Sequence, residues 1–283
     1  MINNRGLCTI VFVTMLMLLV NDSFAQTSTE QSKVKADSSF RLSMLGNPTR
    51  LVLSCKDVIQ SMAWWAKLGF TPTPGNTGRP DSAISLADGQ VVITLVKDPL
   101  PTPILMFATP NIRMLKDSLD SLGIGVTYDV QGPTLGELRL LSPSGVHLAV
   151  RPSATERRTP TTGDSNIVCG KLTEISVSVT DFPLKKEVQY WTLLDFSERK
   201  VGTQPYPFSV ITDGYINIGL HELRDIPSIG MTYFAPDMKD RIARLQKNGM
   251  TFIDEYKDSE GVLEHVYLAS PDGQLVMLFN GTP

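Results

Sequence analysis

The sequence predicts an α+β chain built from four copies of one strand–helix–strand–strand–strand (βαβββ) unit, paired into two similar halves. Three observations carry this. The first is a long repeat: Trp64-Trp65 and Tyr190-Trp191 stand 126 residues apart, as do Gly123 and Gly249. Leu68-Gly69-Phe70 matches Leu194-Asp195-Phe196 at that same spacing, Asp88-Gly89 matches Asp213-Gly214 at 125, and Pro143-Ser144-Gly145 matches Pro271-Asp272-Gly273 at 128. The second is a shorter repeat inside each half: Asp57 to Asn111 and Gly69 to Gly123 are both 54 residues, and Asp181 to Asp237 is 56. The third is the hydrophobic period, which is two at the start of each unit and helical just after it.

Each element follows from local chemistry. Leu51, Leu53 and Cys55 alternate with Arg50, Val52 and Ser54, and Ile175, Val177 and Val179 alternate with Glu174, Ser176 and Ser178, as half-buried strands do. An Asp or Asn (57, 111, 181, 237) then offers a helix N-cap. Ile112, Leu115, Leu119 and Leu122 follow at helical spacing in the second unit, and Met238, Ile242 and Leu245 in the fourth. Gly69, Gly123 and Gly249 end helices where positive φ costs little, and Asp195 departs from that pattern. Asp88-Gly89, Ser144-Gly145, Asp213-Gly214 and Asp272-Gly273 mark hairpin turns whose central residues tolerate positive φ. Trp64, Trp65, Tyr190 and Trp191 read as core residues on helices that back the sheets.

Composition bounds the function. The 283 residues are 42% hydrophobic and 19% charged, enough apolar content for a core. Net charge is −3, so no basic excess exists to neutralise phosphates, and nucleic acid is not an expected partner. Cysteines at 8, 55 and 169 suit neither a disulfide scaffold nor a thiolate zinc cluster, and Cys55 and Cys169 are expected as free thiols.

Residues 1–25 read as a cleaved signal peptide. Arg5 precedes the apolar run Leu7 to Val20, too short to span a bilayer comfortably, and Ser23-Phe24-Ala25 offers small residues before Gln26. An uncleaved anchor is the competing reading. The mature chain is expected to be secreted or periplasmic, with no stable membrane insertion. Residues 26–47 read as a polar tether, 48–152 as a first domain, 153–170 as a linker and 171–283 as a second domain.

The opening Asp57…Ser61…Trp64-Trp65…Leu68-Gly69-Phe70, the closing Ser270 to Leu278 and the four-fold plan together resemble the vicinal oxygen chelate superfamily, which includes glyoxalase I, bleomycin-resistance proteins and extradiol dioxygenases. The resemblance runs over Arg50 to Arg151 and Leu172 to Phe279. It implies two glyoxalase-like domains, each an incomplete barrel around a cleft. It also implies a divalent metal there, held by residues that open the units' first strands and by a glutamate in the closing strand. Those positions hold Arg50, Ile104 and Ala149 in the first half, and Glu174, Gly230 and Met277 in the second. A divalent ion needs about three convergent N/O ligands, so no cofactor is expected.

Strand parity predicts what does face the clefts. The second presents Glu174, Ser176, Ser178, Asn217, His221, His265 and Tyr267; the first presents Arg50, Ser54, Thr94, Glu137, Arg139 and His147. These make a small molecule the expected partner. The resemblance implies that Tyr267 and His221 stand where extradiol dioxygenases carry a cleft tyrosine and histidine, so both are candidate catalytic groups. A histidine satisfied at a strand end and a tyrosine packed on its neighbour are the plainer readings.

Two alternatives stay open. Glu174, His221 and His265 could form a rearranged zinc, iron or manganese site serving a lyase or a ring-cleaving dioxygenase. Arg50 with Arg139 could capture a carboxylate or phosphate, against the plainer reading of an ion pair with Glu137.

Overall fold

The computed structural model describes residues 43–73, 82–130, 135–153, 168–204, 206–223 and 229–282. The proposed signal peptide therefore lies outside the described residues, as do most of the tether and linker.

The four units appear in order. The first is β1 (Asn47–Ser54), α1 (Val58–Lys67), β2 (Thr71–Pro72), β3 (Ala83–Ala87) and β4 (Val92–Val96). The second is β5 (Ile104–Thr109), α2 (Ile112–Ser121), β6 (Tyr128–Val130), β7 (Glu137–Leu141) and β8 (His147–Pro152). The third is β9 (Lys171–Ser178), α3 (Leu184–Leu193), β10 (Ser197–Gly202), β11 (Phe208–Thr212) and β12 (Asn217–His221). The fourth is β13 (Ile229–Ala235), α4 (Met238–Lys247), β14 (Asp254–Lys257), β15 (Leu263–Ala269) and β16 (Leu275–Asn280).

Units pair within each half. The first sheet has eight strands in the order β2-β3-β4-β1-β5-β8-β7-β6, and the second repeats it as β10-β11-β12-β9-β13-β16-β15-β14. The opening strands of paired units run antiparallel side by side (β1 with β5, β9 with β13), and each pairs in parallel with its own unit's last strand. Each sheet keeps two free ends, so each barrel is incomplete.

One face of each sheet feeds a core shared by both halves. Leu51, Leu105, Leu138 and Val150 enter it from the first sheet, and Ile175, Ile218, Met231 and Leu278 from the second. Trp65 and Trp191 are fully buried there, each edge-on to the phenylalanine after its helix, Phe70 or Phe196, at 4.9 Å. The other faces carry two separate apolar clusters, one in each cleft.

Several local expectations change. Asp57 and Asn111 do cap their helices, accepting from Gln60 N and Met114 N. Asp181 does not: α3 starts after Pro183, whose side chain offers no cap. Asp237 sits at the cap of α4 but gives its carboxylate to Arg241 instead. In the Asp-Gly turns only the glycine takes positive φ; Asp88 and Asp213 instead brace the turn, each accepting two backbone N–H groups on Oδ1. Asp195 adopts φ 66°, the left-handed conformation Gly69 takes in the first unit. The end of the tether is built into the fold, with Leu45 buried and Met44 N donating to Leu194 O. So is the end of the linker, where buried Cys169 donates to Leu68 O. Cys55 and Cys169 are free thiols, and burial pushes both pKa values up.

The halves meet through a pseudo-symmetric set of polar contacts. Glu187 on α3 accepts from Ser144 N in the β7–β8 turn, and at the equivalent place Ser61 on α1 donates to Asp272 in the β15–β16 turn. Asp88 Oδ2 accepts from the Tyr233 hydroxyl at 3.0 Å. The counterpart of that pair is Asp213 with Phe107, which has no hydroxyl. Asp213 Oδ2 is buried beside the Ser43 hydroxyl, which also lies 3.1 Å from Gly46 O and is shared between the two. Phe107→Tyr is expected to supply the missing donor and raise stability by about 1 kcal/mol, read as a higher denaturant midpoint; a lower one would show that the hydroxyl does not fit.

Candidate functional site

The register fixes which residues share a row across each cleft. In the second sheet Glu174 pairs with Thr232 and Thr232 with Met277. In the first, Arg50 pairs with Met106 and Met106 with Ala149. The metal positions assigned by resemblance to Gly230 and Ile104 are thus each two residues early, and Thr232 and Met106 stand there. Met277 and Ala149 do lie on the cleft faces, opposite the core-facing Val276, Leu278, Leu148 and Val150.

The residues present do not fit the metal that the resemblance implies. One row offers a carboxylate, a hydroxyl and a thioether; the other offers a guanidinium, a thioether and a methyl group. Among the described residues no three His, Cys, Asp or Glu side chains cluster as a metal site.

A hydrogen-bonded dyad stands in the second cleft. Glu174 on β9 and His221 on β12 meet with Oε1 and Nε2 2.9 Å apart. The Ser176 hydroxyl donates to the same oxygen at 2.8 Å, and with that proton committed Thr232 donates to Ser176 at 2.6 Å. Both of these Glu174 hydrogen bonds fall on Oε1, and 15% of the side chain stays exposed. Burial disfavours the Glu174 charge, but His221, Ser176 and Lys200 outweigh it and hold the carboxyl below the usual glutamate range.

Gly219 makes room for the dyad. It lies between Asn217 and His221 on the same face of β12, opposite Ser176. A Cβ there would press on Glu174 Oε1 and lie 2.5 Å from His221 Nε2. Phe208 stacks on the His221 ring at 6.1 Å, and Tyr206 meets it edge-on at 5.8 Å. Burial and the Glu174 charge both push the Tyr206 hydroxyl's pKa up. Gly219, Lys200, Tyr206, Phe208 and Thr232 were not anticipated. The period-2 pattern of β11 and β12 could have marked Phe208 and Gly219 as cleft-facing.

Other expected site residues are occupied elsewhere. Ser178 donates to Leu223 O at 2.6 Å, and Asn217 Nδ2 to Thr173 O at 2.8 Å. His265 is buried, accepts from Asn280 N on Nδ1, and is driven by burial to a pKa of about 4. It lies on β15, three strands from Glu174, roughly 14 Å along the sheet at ~4.8 Å per strand. Glu174, His221 and His265 therefore do not converge, and the rearranged metal site is not formed by these three. Tyr267 packs with Tyr256, Met277 and Phe279, and burial raises its hydroxyl's pKa.

In the first cleft Glu137, 5% exposed, accepts from Arg139 Nε and Arg151 Nε at 2.6 Å each. The plainer ion-pair reading of Arg139 thus holds, with Arg151 an unforeseen second partner. Ser85 and Thr94 bond each other.

No protein-family model and no curated protein matches the sequence. Solved structures do. A catechol 2,3-dioxygenase superposes with a TM-score of 0.55 at 15% identity, over 83% of this chain and 88% of its own. An Mn(II)-bound glyoxalase from Novosphingobium aromaticivorans gives 0.58 at 16%, over 84% and 81%. The 2,3-dioxygenase LapB from Pseudomonas sp. KL28 gives 0.57 at 14%, over 86% and 94%. The chain thus shares the fold of these dioxygenase and glyoxalase structures, the fold that the sequence resemblance implied.

Proposed function

We propose that this is an extracytoplasmic protein that binds a small molecule in the cleft of its second half, through the Glu174–His221 dyad and without the superfamily's metal. The observation that carries the reading is the dyad itself: an ionised, half-buried carboxylate held over Gly219, in the row where metal ligands would stand. A carboxylate suits a ligand that donates a hydrogen bond, such as a hydroxyl or an amine. Phe208, Tyr206 and Tyr267 supply aromatic surface for a planar body. The apolar run Leu7 to Val20 and the small residues before Gln26 support export.

A thermal-shift screen of phenols, amines and carboxylates tests this reading, since a ligand of the folded state raises Tm. A hydroxylated or amino ligand should raise Tm in the unaltered chain, and Glu174→Gln should remove most of the shift. A shift that survives Glu174→Gln would place the ligand elsewhere.

A further inference from the structure

The second cleft carries a cation as well as the dyad's carboxylate. We infer that its ligand is an amino carboxylate, whose ammonium pairs with Glu174 and whose carboxylate pairs with Lys200. This inference rests on the dyad being the binding site and names the class of ligand that the site takes.

The strand register puts the two charges in one cleft. Lys200 on β10 pairs with Val210 on β11, Val210 with Gly219 on β12, and Gly219 with Ser176 on β9. The face is fixed at Ile211, which enters the core and so turns Val210 to the cleft. Lys200 therefore stands in the row of Gly219, two strands away, roughly 10 Å at ~4.8 Å per strand. The dyad sits over that same glycine, which has no Cβ to press on Glu174 and His221. The two charges feel each other, because Lys200 is among the groups that hold Glu174 ionised. They do not touch: among the described residues no ion pair joins Lys200 to Glu174 or to another carboxylate.

Two facing, opposite and unjoined charges select a ligand by the order of its own charges. An alcohol entering between them would displace water from both and answer neither charge. A simple amine would answer Glu174 and leave Lys200, and a simple carboxylate the reverse. An amino carboxylate answers both with charge-assisted hydrogen bonds. Its direction is set by exposure. Lys200 is exposed and Glu174 keeps 15% of its side chain exposed, so the ligand's carboxylate lies at the mouth and its ammonium within.

The surface between the charges is apolar. Val210 separates Lys200 from Gly219, and one pleat along the Phe208 ring lies over Gly202, where a Cβ would collide with it. Methylene groups joining the ligand's two ends suit that path.

The competing role for Lys200 is simpler. β10 is the end strand of its sheet, and exposed lysines there repel the edges of other chains. That role alone gives Lys200 no influence on binding.

Calorimetric titration of the full chain at low ionic strength separates the two, with 4-aminobutyrate, 6-aminohexanoate, butylamine and butyrate as probes. One of the amino carboxylates should bind saturably, more tightly than either single-ended probe, and more weakly as salt is added. Lys200→Gln should weaken it about fivefold, as loss of a partly exposed ion pair does, and leave butylamine unchanged. No binding of either amino carboxylate, equal affinity for butylamine, or an unchanged amino carboxylate affinity in Lys200→Gln would overturn the inference. The dyad reading would survive those results if a hydroxylated ligand still shifts Tm through Glu174. Amino carboxylate binding that persists in Glu174→Gln would overturn both.

Discussion

Gly219→Ala is expected to separate Glu174 from His221 while leaving the chain folded. The added Cβ would sit 2.5 Å from both Glu174 Cδ and His221 Nε2. Both are side-chain ends, so the backbone need not yield. Both are also tethered, to each other and through Ser176 to Thr232. Such crowding costs about 1–3 kcal/mol, partly offset by about 0.5–1 kcal/mol because alanine is the better strand residue. The larger effect is on charge. In the unaltered chain the Glu174 pKa is depressed, so the ionised group stabilises the fold above its ordinary value of 4.5. That contribution is lost as pH falls through the folded pKa. With His221 pushed away, burial should dominate and raise the pKa instead. Denaturant midpoints measured across the acidic range should then fall less steeply on acidification in the variant. Identical acid profiles would mean that Gly219 does not hold the dyad.

Glu187→Ala is expected to have the largest effect on stability. Glu187 is fully buried on α3, where one oxygen accepts from Trp191 Nε1 at 2.9 Å and the other from Ser144 N at 2.8 Å. Truncation leaves the buried Trp191 Nε1–H and the half-buried Ser144 N–H without their acceptor, and a cavity beside Trp191. At about 1–3 kcal/mol per orphaned group, the expected loss is about 3 kcal/mol. Ser144 belongs to the first half and Glu187 to the second, so the loss also loosens their junction. Glu187→Gln keeps one acceptor and should lose about half as much. Equal midpoints for the unaltered chain and Glu187→Ala would show that the contact contributes nothing.

The fold was legible because its repeat is written in residues with narrow conformational roles. Gly69, Gly123 and Gly249 mark helix ends through positive φ, and the Asp-Gly turns recur at nearly constant spacing. Parity then placed Glu174, His221, Arg50 and Arg139 on cleft faces, because a strand flips its side chains every residue. What parity cannot give is position along a neighbouring strand. The antiparallel β1–β5 and β9–β13 pairs set that, and they put Met106 and Thr232 in the rows where Ile104 and Gly230 were expected. Nor does parity separate a working side chain from a satisfied one. Ser178 and Asn217 face the cleft as expected yet are committed to backbone carbonyls. Glu187 was invisible for another reason. A glutamate on a helix reads as solvated, and only the packing of the two halves buries it.

The central claim is that ligand binding in the second cleft runs on the Glu174–His221 dyad and needs no divalent ion. It is tested most directly by titrating a hydroxylated ligand found in the screen into chain stripped with a chelator, and again after adding back manganese, iron or zinc. The account predicts the same affinity in both and a loss in Glu174→Gln. Binding that appears only with a stoichiometric divalent ion, itself released by Glu174→Gln, would contradict it.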